Sequence, residues 1–227
     1  MKILEKGFTL VELMVTIAIM AIMAAIAVPN FSEWLAKRRV AAAAEKVANM
    51  IRLGRSEAAR LNLPVYLCPV QIRKDGNPNG QCQEQYSGSG LMLWADRNLD
   101  KKYVRGVDDS LRVAIINQRS QGKNNSGDRI EYSVRSVKYD GSNAAKNPNT
   151  SVLAFLPDGS VRRITTGKTD ATFHTNDPIS GYVKFVLTDA KAEDEKTKSS
   201  RSVVLLVSGN QVKFCDRAGD LKACKYK

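Results

Sequence analysis

Lys6-Gly7-Phe8-Thr9-Leu10-Val11-Glu12 opens the stretch that decides the fold, and the apolar run it begins continues to Val28. From Phe8 to Val28 is 21 residues. At ~1.5 Å per residue a helix of that length measures ~30 Å, the thickness of one hydrocarbon core. Glu12 is the one charged side chain inside it. A carboxylate in lipid is costly unless it meets a partner, so an acid within an apolar run is a functional residue by default.

Three readings of this N-terminus compete. Lys2 and Lys6 form a basic start, and Ala25-Ile26-Ala27 imitates the cleavage site of a secretory signal peptide. Glu12 interrupts the apolar region of such a signal, and the run is long for one. A plain uncleaved anchor is the second reading. The third rests on Gly7-Phe8-Thr9-Leu10-Val11-Glu12, which resembles the processing site of type IV prepilins and type II secretion pseudopilins. That resemblance implies that a prepilin peptidase cuts between Gly7 and Phe8 and N-methylates Phe8. It also places Glu12 at the family glutamate and Pro29 at a common proline where the helix kinks. The physical rationale for Glu12 is pairing with the N-terminal ammonium of a neighbouring subunit.

Working outward, residues 1–7 read as a leader, 8–28 as a transmembrane and filament-core helix, and 29–63 as its amphipathic continuation. Ala36, Val40, Ala43, Val47, Met50, Gly54, Ala58 and Leu61 recur in steps of three or four and so share one helical face. Leu63 before Pro64 predicts the stop. Trp34 and the trio Lys37-Arg38-Arg39 suit a membrane interface, or solvated helix surface. The trio argues against a periplasmic location and Lys2 and Lys6 argue for a cytoplasmic N-terminus; the family topology decides for the latter.

Residues 64–227 read as a β-rich globular domain. Val65–Val70, Leu91–Trp94, Leu111–Ile116, Ile130–Tyr139, Val152–Leu156, Val161–Thr165, Tyr182–Leu187, Ser202–Val207 and Gln211–Cys215 are the predicted strands. Pro157-Asp158-Gly159 and Ser208-Gly209-Asn210 predict antiparallel hairpins. Asp75–Gly90, Ser120–Asp128, Gly141–Thr150 and the mixed-charge run Asp189–Ser200 read as loops. The fold class is α+β, similar to a pilin: a long N-terminal helix packed on an antiparallel sheet domain.

Net charge is +12, spread along the chain rather than held in one tract. It permits anionic partners and specifies none. Cys68, Cys82, Cys215 and Cys224 are even in number beyond an export-type N-terminus, which suggests two disulfides. Three connectivities are open; sequence proximity favours Cys68–Cys82 and Cys215–Cys224. Zinc is disfavoured by the absence of Cys-x-x-Cys and by a single histidine, His174. No nucleophile signature surrounds His174, and no nucleotide, zincin or EF-hand motif occurs. Asp96, Asp100, Asp108 and Asp109 match no ligand loop and read as loop surface. The sequence therefore predicts no catalytic residue, no metal, no cofactor and no enzyme. A basic surface of Arg162, Arg163, Lys184, Lys213, Arg217, Lys222, Lys225 and Lys227 is conceivable for nucleic acid, with solvated charge the favoured reading.

Phe155-Leu156-Pro157-Asp158-Gly159-Ser160 on a hairpin and a cysteine-bearing C-terminal hairpin resemble the GspH/FimT/FimU group of minor pilins and pseudopilins. Members that take up DNA carry Gly-Arg-x-Arg in the last hairpin; here the place reads Gly209-Asn210-Gln211-Val212-Lys213. The resemblance implies a minor pilin, FimU-like, that primes type IV pilus assembly. The alternatives are a type II secretion pseudopilin, GspH-like, and a DNA-binding minor pilin. The implied partners are other minor pilins, the major pilin or pseudopilins, the prepilin peptidase and the inner-membrane assembly platform. The implied location is a single pass of the bacterial inner membrane, with the C-terminal domain periplasmic, and then the filament.

Overall fold

The computed structural model describes residues 8–73, 75–80, 82–83, 86, 88–117, 129–142, 152–164, 177–178, 181–209, 211–215 and 221–226, without the side chains of 26–30 and 177–178. His174 and Gly7 lie outside the described residues.

Helix α1 runs from Leu10 to Leu61, 52 residues, unbroken through position 29. It starts where the Thr9 hydroxyl accepts the Glu12 N–H at 3.2 Å, satisfying one of the first turn's free donors. It ends two residues before the predicted stop, at Asn62, whose φ of 56° breaks the helix in the left-handed region that asparagine tolerates.

Among the described residues ten strands follow: β1 (Val65–Pro69), β2 (Gly90–Ala95), β3 (Asp109–Ile115), β4 (Ile130–Val137), β5 (Val152–Phe155), β6 (Val161–Ile164), β7 (Asp177–Pro178), β8 (Tyr182–Asp189), β9 (Ser202–Ser208) and β10 (Gln211–Phe214). The nine predicted strands are present within two residues at each end; β7 was not foreseen. They form a six-stranded sheet in the order β3-β2-β1-β5-β6-β7 and a four-stranded sheet in the order β10-β9-β8-β4, each antiparallel throughout.

The central core lies where the second half of α1 meets both sheets. The predicted stripe from Ala36 to Ala58 is buried, and Ala44, Ala48 and Ile51 widen it. It packs on Leu67, Leu93 and Phe155 of one sheet and Phe185, Leu187 and Leu205 of the other. Gly54 makes this approach possible: a Cβ there would stand 2.5 Å from the Phe155 ring and 2.9 Å from Leu93 Cδ1. The α+β, pilin-like arrangement is thus the observed one.

Each sheet also buries its outer face, which is why β1 and β2 are buried at every position instead of alternately. Tyr66, Met92, Trp94 and Val152 on the outer face of the larger sheet are covered by the loops before β2 and β3, through Ile72, Cys82 and Tyr103. Val186, Val204 and Leu206 on the smaller sheet are covered by the C-terminal segment, through Leu221, Ala223 and Tyr226. Cys68–Cys82 and Cys215–Cys224 are disulfides, each with Cα atoms 5.5 Å apart. Each pins one of these covers to its own sheet. The terminal bridge therefore ties the C-terminal strap to the end of the β9–β10 hairpin.

Two loop readings are corrected. The run Asp189–Ser200 is not all solvated loop: Glu195–Ser200 forms helix α2, capped by Asp194, which accepts the Thr197 N–H at 2.8 Å. Asp189 itself is 2% exposed and paired with Arg201 at 3.1 Å and Arg39 at 3.9 Å. Asp96 and Asp108, read as loop surface, are buried because they organise the β2–β3 loop. Asp96 accepts the Lys101 N–H at 2.9 Å; Asp108 accepts those of Arg97 and Val104 at 3.0 and 2.7 Å. Burial, with Asp108 and Asp100 nearby, raises the pKa of Asp96.

Candidate assembly site on the N-terminal helix

From Phe8, just before α1, to Met23 the large apolar side chains are all exposed; Phe8, Leu10, Leu13, Ile17 and Met20 are more than half open to solvent, and the others around the helix are exposed too. A helix apolar on every side has no buried face within its own subunit. Covering each such side chain contributes ~1.5–3 kcal/mol, so this half-helix is built to be surrounded by lipid or by other apolar helices. Glu12 stands exposed on it, one turn from Thr9. The Thr9-x-x-Glu12 spacing is itself a helix-start signal. Among the described residues no helix has an apolar stretch long enough to cross a membrane. The predicted span reaches Val28, and the side chains at 26–28 are outside the description.

Where the bare half ends, Phe31 stacks on Trp34 with centroids 5.7 Å apart, and the Arg38 guanidinium lies 5.3 Å from the Trp34 ring centre. The basic trio is divided among three partners. Lys37 pairs with Glu33 at 2.6 Å, Arg38 covers Trp34, and Arg39 reaches Asp189 on β8. Arg39 therefore helps dock the helix on the sheet domain. The start of α1 thus projects from the domain as an unpartnered apolar rod with one acid.

Comparison with known proteins agrees with this division. Residues 4–28 match the family model of the prokaryotic N-terminal methylation motif. Residues 43–211, nearly three quarters of the chain, match that of the type II transport protein GspH. The chain belongs to the GspH family.

Curated relatives include fimbrial proteins. A type IV major fimbrial protein FimA of Dichelobacter nodosus is 34% identical over 92 residues, 40% of this chain and 49% of that protein. Two other FimA sequences from that organism are 44% identical over 50 residues and 50% over 40, covering 32% and 25% of their own lengths. The chain spans about half or less of the curated relatives it matches. No solved structure matches it. The methylation motif implies a membrane-anchored pilin or pseudopilin.

In this GspH-family domain the candidate phosphate contacts are divided between the two sheets. Arg162 and Arg163 are consecutive on β6, opposite Ala154 and Leu153 of β5. Successive strand residues face opposite sides, so one looks to the outer face and the other to the helix side. Lys213 sits on the other sheet and Lys225 lies in its C-terminal strap. Lys184 is 4% exposed, not part of a basic surface. Its ammonium donates to the Lys225 carbonyl, and burial beside Arg135 lowers its pKa.

The Phe155–Ser160 motif forms the β5–β6 hairpin. Gly159 has a φ of 81°, and Asp158 accepts the Ser160 N–H at 2.8 Å; the Ser160 side chain and then its N–H lower the Asp158 pKa. Sequence reasoning missed Asn117. This residue, 8% exposed, donates to the Gly88 and Ile130 carbonyls and accepts the N–H groups of Arg129 and Ile130. It joins the starts of β2 and β4, and so the two sheets. An asparagine directly after a strand was the available signal.

Proposed function

We propose that this chain is a minor pilin, FimU-like, which is cut between Gly7 and Phe8 and joins other pilins in a complex that starts a type IV pilus. The observation that carries the reading is the rod from Phe8 to Met23, apolar all round, without a partner in its own subunit and with Glu12 as its charge. In the precursor this rod lies in the inner membrane, with the leader cytoplasmic and the sheet domain periplasmic. On assembly the rod leaves lipid for a bundle of like helices. There Glu12 pairs with the N-terminal ammonium of methylated Phe8 on an adjacent subunit, an exchange that offsets burial of both charges. The role is structural rather than catalytic, and the sheet domain offers contacts to minor pilins outside the helical bundle. The fimbrial relatives support the pilus reading.

The GspH match favours a second reading, a minor pseudopilin of type II secretion, with the same processing and the same rod. Deleting the gene separates the two. Loss of surface pili with secretion intact supports the pilus role, and loss of secretion with pili intact supports the pseudopilus. Glu12→Val tests the pairing: insertion and processing persist and assembly falls, whereas wild-type filament numbers contradict it.

A further inference from the structure

Two arginines one turn apart on α1, Arg52 and Arg55, border a cleft of about 410 Å³ whose opposite wall is the β5–β6 turn, with Leu156, Gly159 and Ser160. Arg55 donates to the Gly209 carbonyl of the β9–β10 turn, and its Nε is buried with no acceptor. Arg52 donates to Asn49 within the same helix at 3.0 Å. Neither arginine has an acidic partner among the described residues. Burial lowers the Arg55 pKa, and among the described residues no carboxylate offsets that effect. The acids close by in sequence are engaged elsewhere. Glu57 is bound by Arg60, and Asp158 turns toward Ser160 and interacts with Arg162.

A half-buried guanidinium without a counter-charge is unfavourable, and this cleft keeps a second arginine beside it. We infer that the cleft is a socket for one carboxylate side chain, an Asp or Glu of a neighbouring subunit in the assembled filament. Guanidinium groups hold carboxylates through directed, charge-assisted hydrogen bonds, and Arg55 lines the cleft with its Nε lacking an acceptor. A single acid suits the cleft better than a polyanion. Arg162 and Arg163 diverge across their sheet and Lys213 stands on the other, so they form no basic track leading outward. The socket gives the sheet domain an orienting contact separate from the rod, and so fixes which neighbour docks and in which rotation.

The inference rests on the chain being an assembling pilin or pseudopilin, and the test keeps the two apart. In cells carrying the full chain, a benzoylphenylalanine photo-crosslinker at the exposed Ser56 marks what enters the cleft, and mass spectrometry maps the linked peptide. The expected link falls beside an Asp or Glu of a co-assembled subunit. Arg52→Glu should lower filament or pseudopilus yield about tenfold or more, equivalent to ~1.4 kcal/mol of lost contact. Reversing the mapped acid to Lys should restore it. Arg52 is exposed and donates its hydrogen bond within its own helix, so Arg52→Glu should keep the wild-type denaturation midpoint, and Arg52→Lys should assemble nearly normally.

Wild-type assembly of Arg52→Glu overturns the socket, as does a link to a surface without acids, no link in assembled filaments, or failure of the reversed pair. Purified full chain in detergent that shifts duplex DNA, with the shift lost in Arg52→Glu and assembly untouched, overturns it in favour of a phosphate site. If the wild-type chain enters no filament or pseudopilus fraction, the filament reading itself has failed; if Glu12→Val fails to assemble while Arg52→Glu assembles normally, the socket alone is wrong.

Discussion

Replacing Asn117 by Ala removes the bracket between the two sheets, and its cost follows from four hydrogen bonds. Nδ2 donates to Gly88 O at 2.9 Å and Ile130 O at 2.8 Å; Oδ1 accepts from Arg129 N and Ile130 N at 3.1 Å each. A net hydrogen bond contributes ~0.5–1.5 kcal/mol, and a buried group left unpaired costs ~1–3 kcal/mol. Ile130 is 3% exposed, so water reaches its freed N–H and C=O poorly. The expected loss is ~3–5 kcal/mol, which for a chain of this size lowers the melting midpoint by roughly 10 °C or more.

The assay is urea denaturation of the full chain in detergent, followed by emission of the buried Trp94 in a Trp34→Phe background. Asn117→Asp is the diagnostic partner. It keeps both acceptor contacts but sets a carboxylate oxygen against two carbonyls, so it should be as damaging as Ala. A loss below ~1 kcal/mol for both variants would refute the idea that this side chain holds the sheets together.

Gly54→Val should destabilise the domain by ~1–3 kcal/mol or more through overpacking against Phe155 and Leu93, despite the better helix propensity of Val, and thermal melting reads it. Cys68→Ser with Cys82→Ser should cost ~2–4 kcal/mol in the same urea assay and expose Trp94 to acrylamide, because the loop covering that face loses its tether. Asp96→Asn should change the pH dependence. The raised pKa of Asp96 means its contribution is greatest below ~4 and is lost as pH rises through the folded value, so wild-type stability relative to the variant should fall from pH 4 toward neutrality. A flat difference across that range contradicts the burial argument.

The helix and strands were legible because burial leaves a period. The three-or-four spacing from Ala36 to Leu61 and the short runs of branched and aromatic residues each have one physical reading. Double-sided burial was also visible, in the unbroken apolar runs Val65–Pro69 and Leu91–Ala95, but a run does not say what covers its second face. Two disulfide-pinned covers do, and they depend on contacts distant in sequence. Charged residues were the least legible. Asp96, Asp108, Asp189 and Lys184 look like surface in a one-dimensional reading, yet each is buried because loops and strands bring donors or acceptors to it. Arg162 and Arg163 look like a patch and diverge because a strand alternates. Asn117 carries no periodic signal at all.

The most direct test of the central claim is the intact mass of the chain isolated from sheared filaments and from membranes. The account predicts a polypeptide beginning at Phe8, heavier by one methyl group, in both fractions. A chain beginning at Met1 or at Val28, or one absent from every filament fraction and lacking the apolar rod, would contradict it.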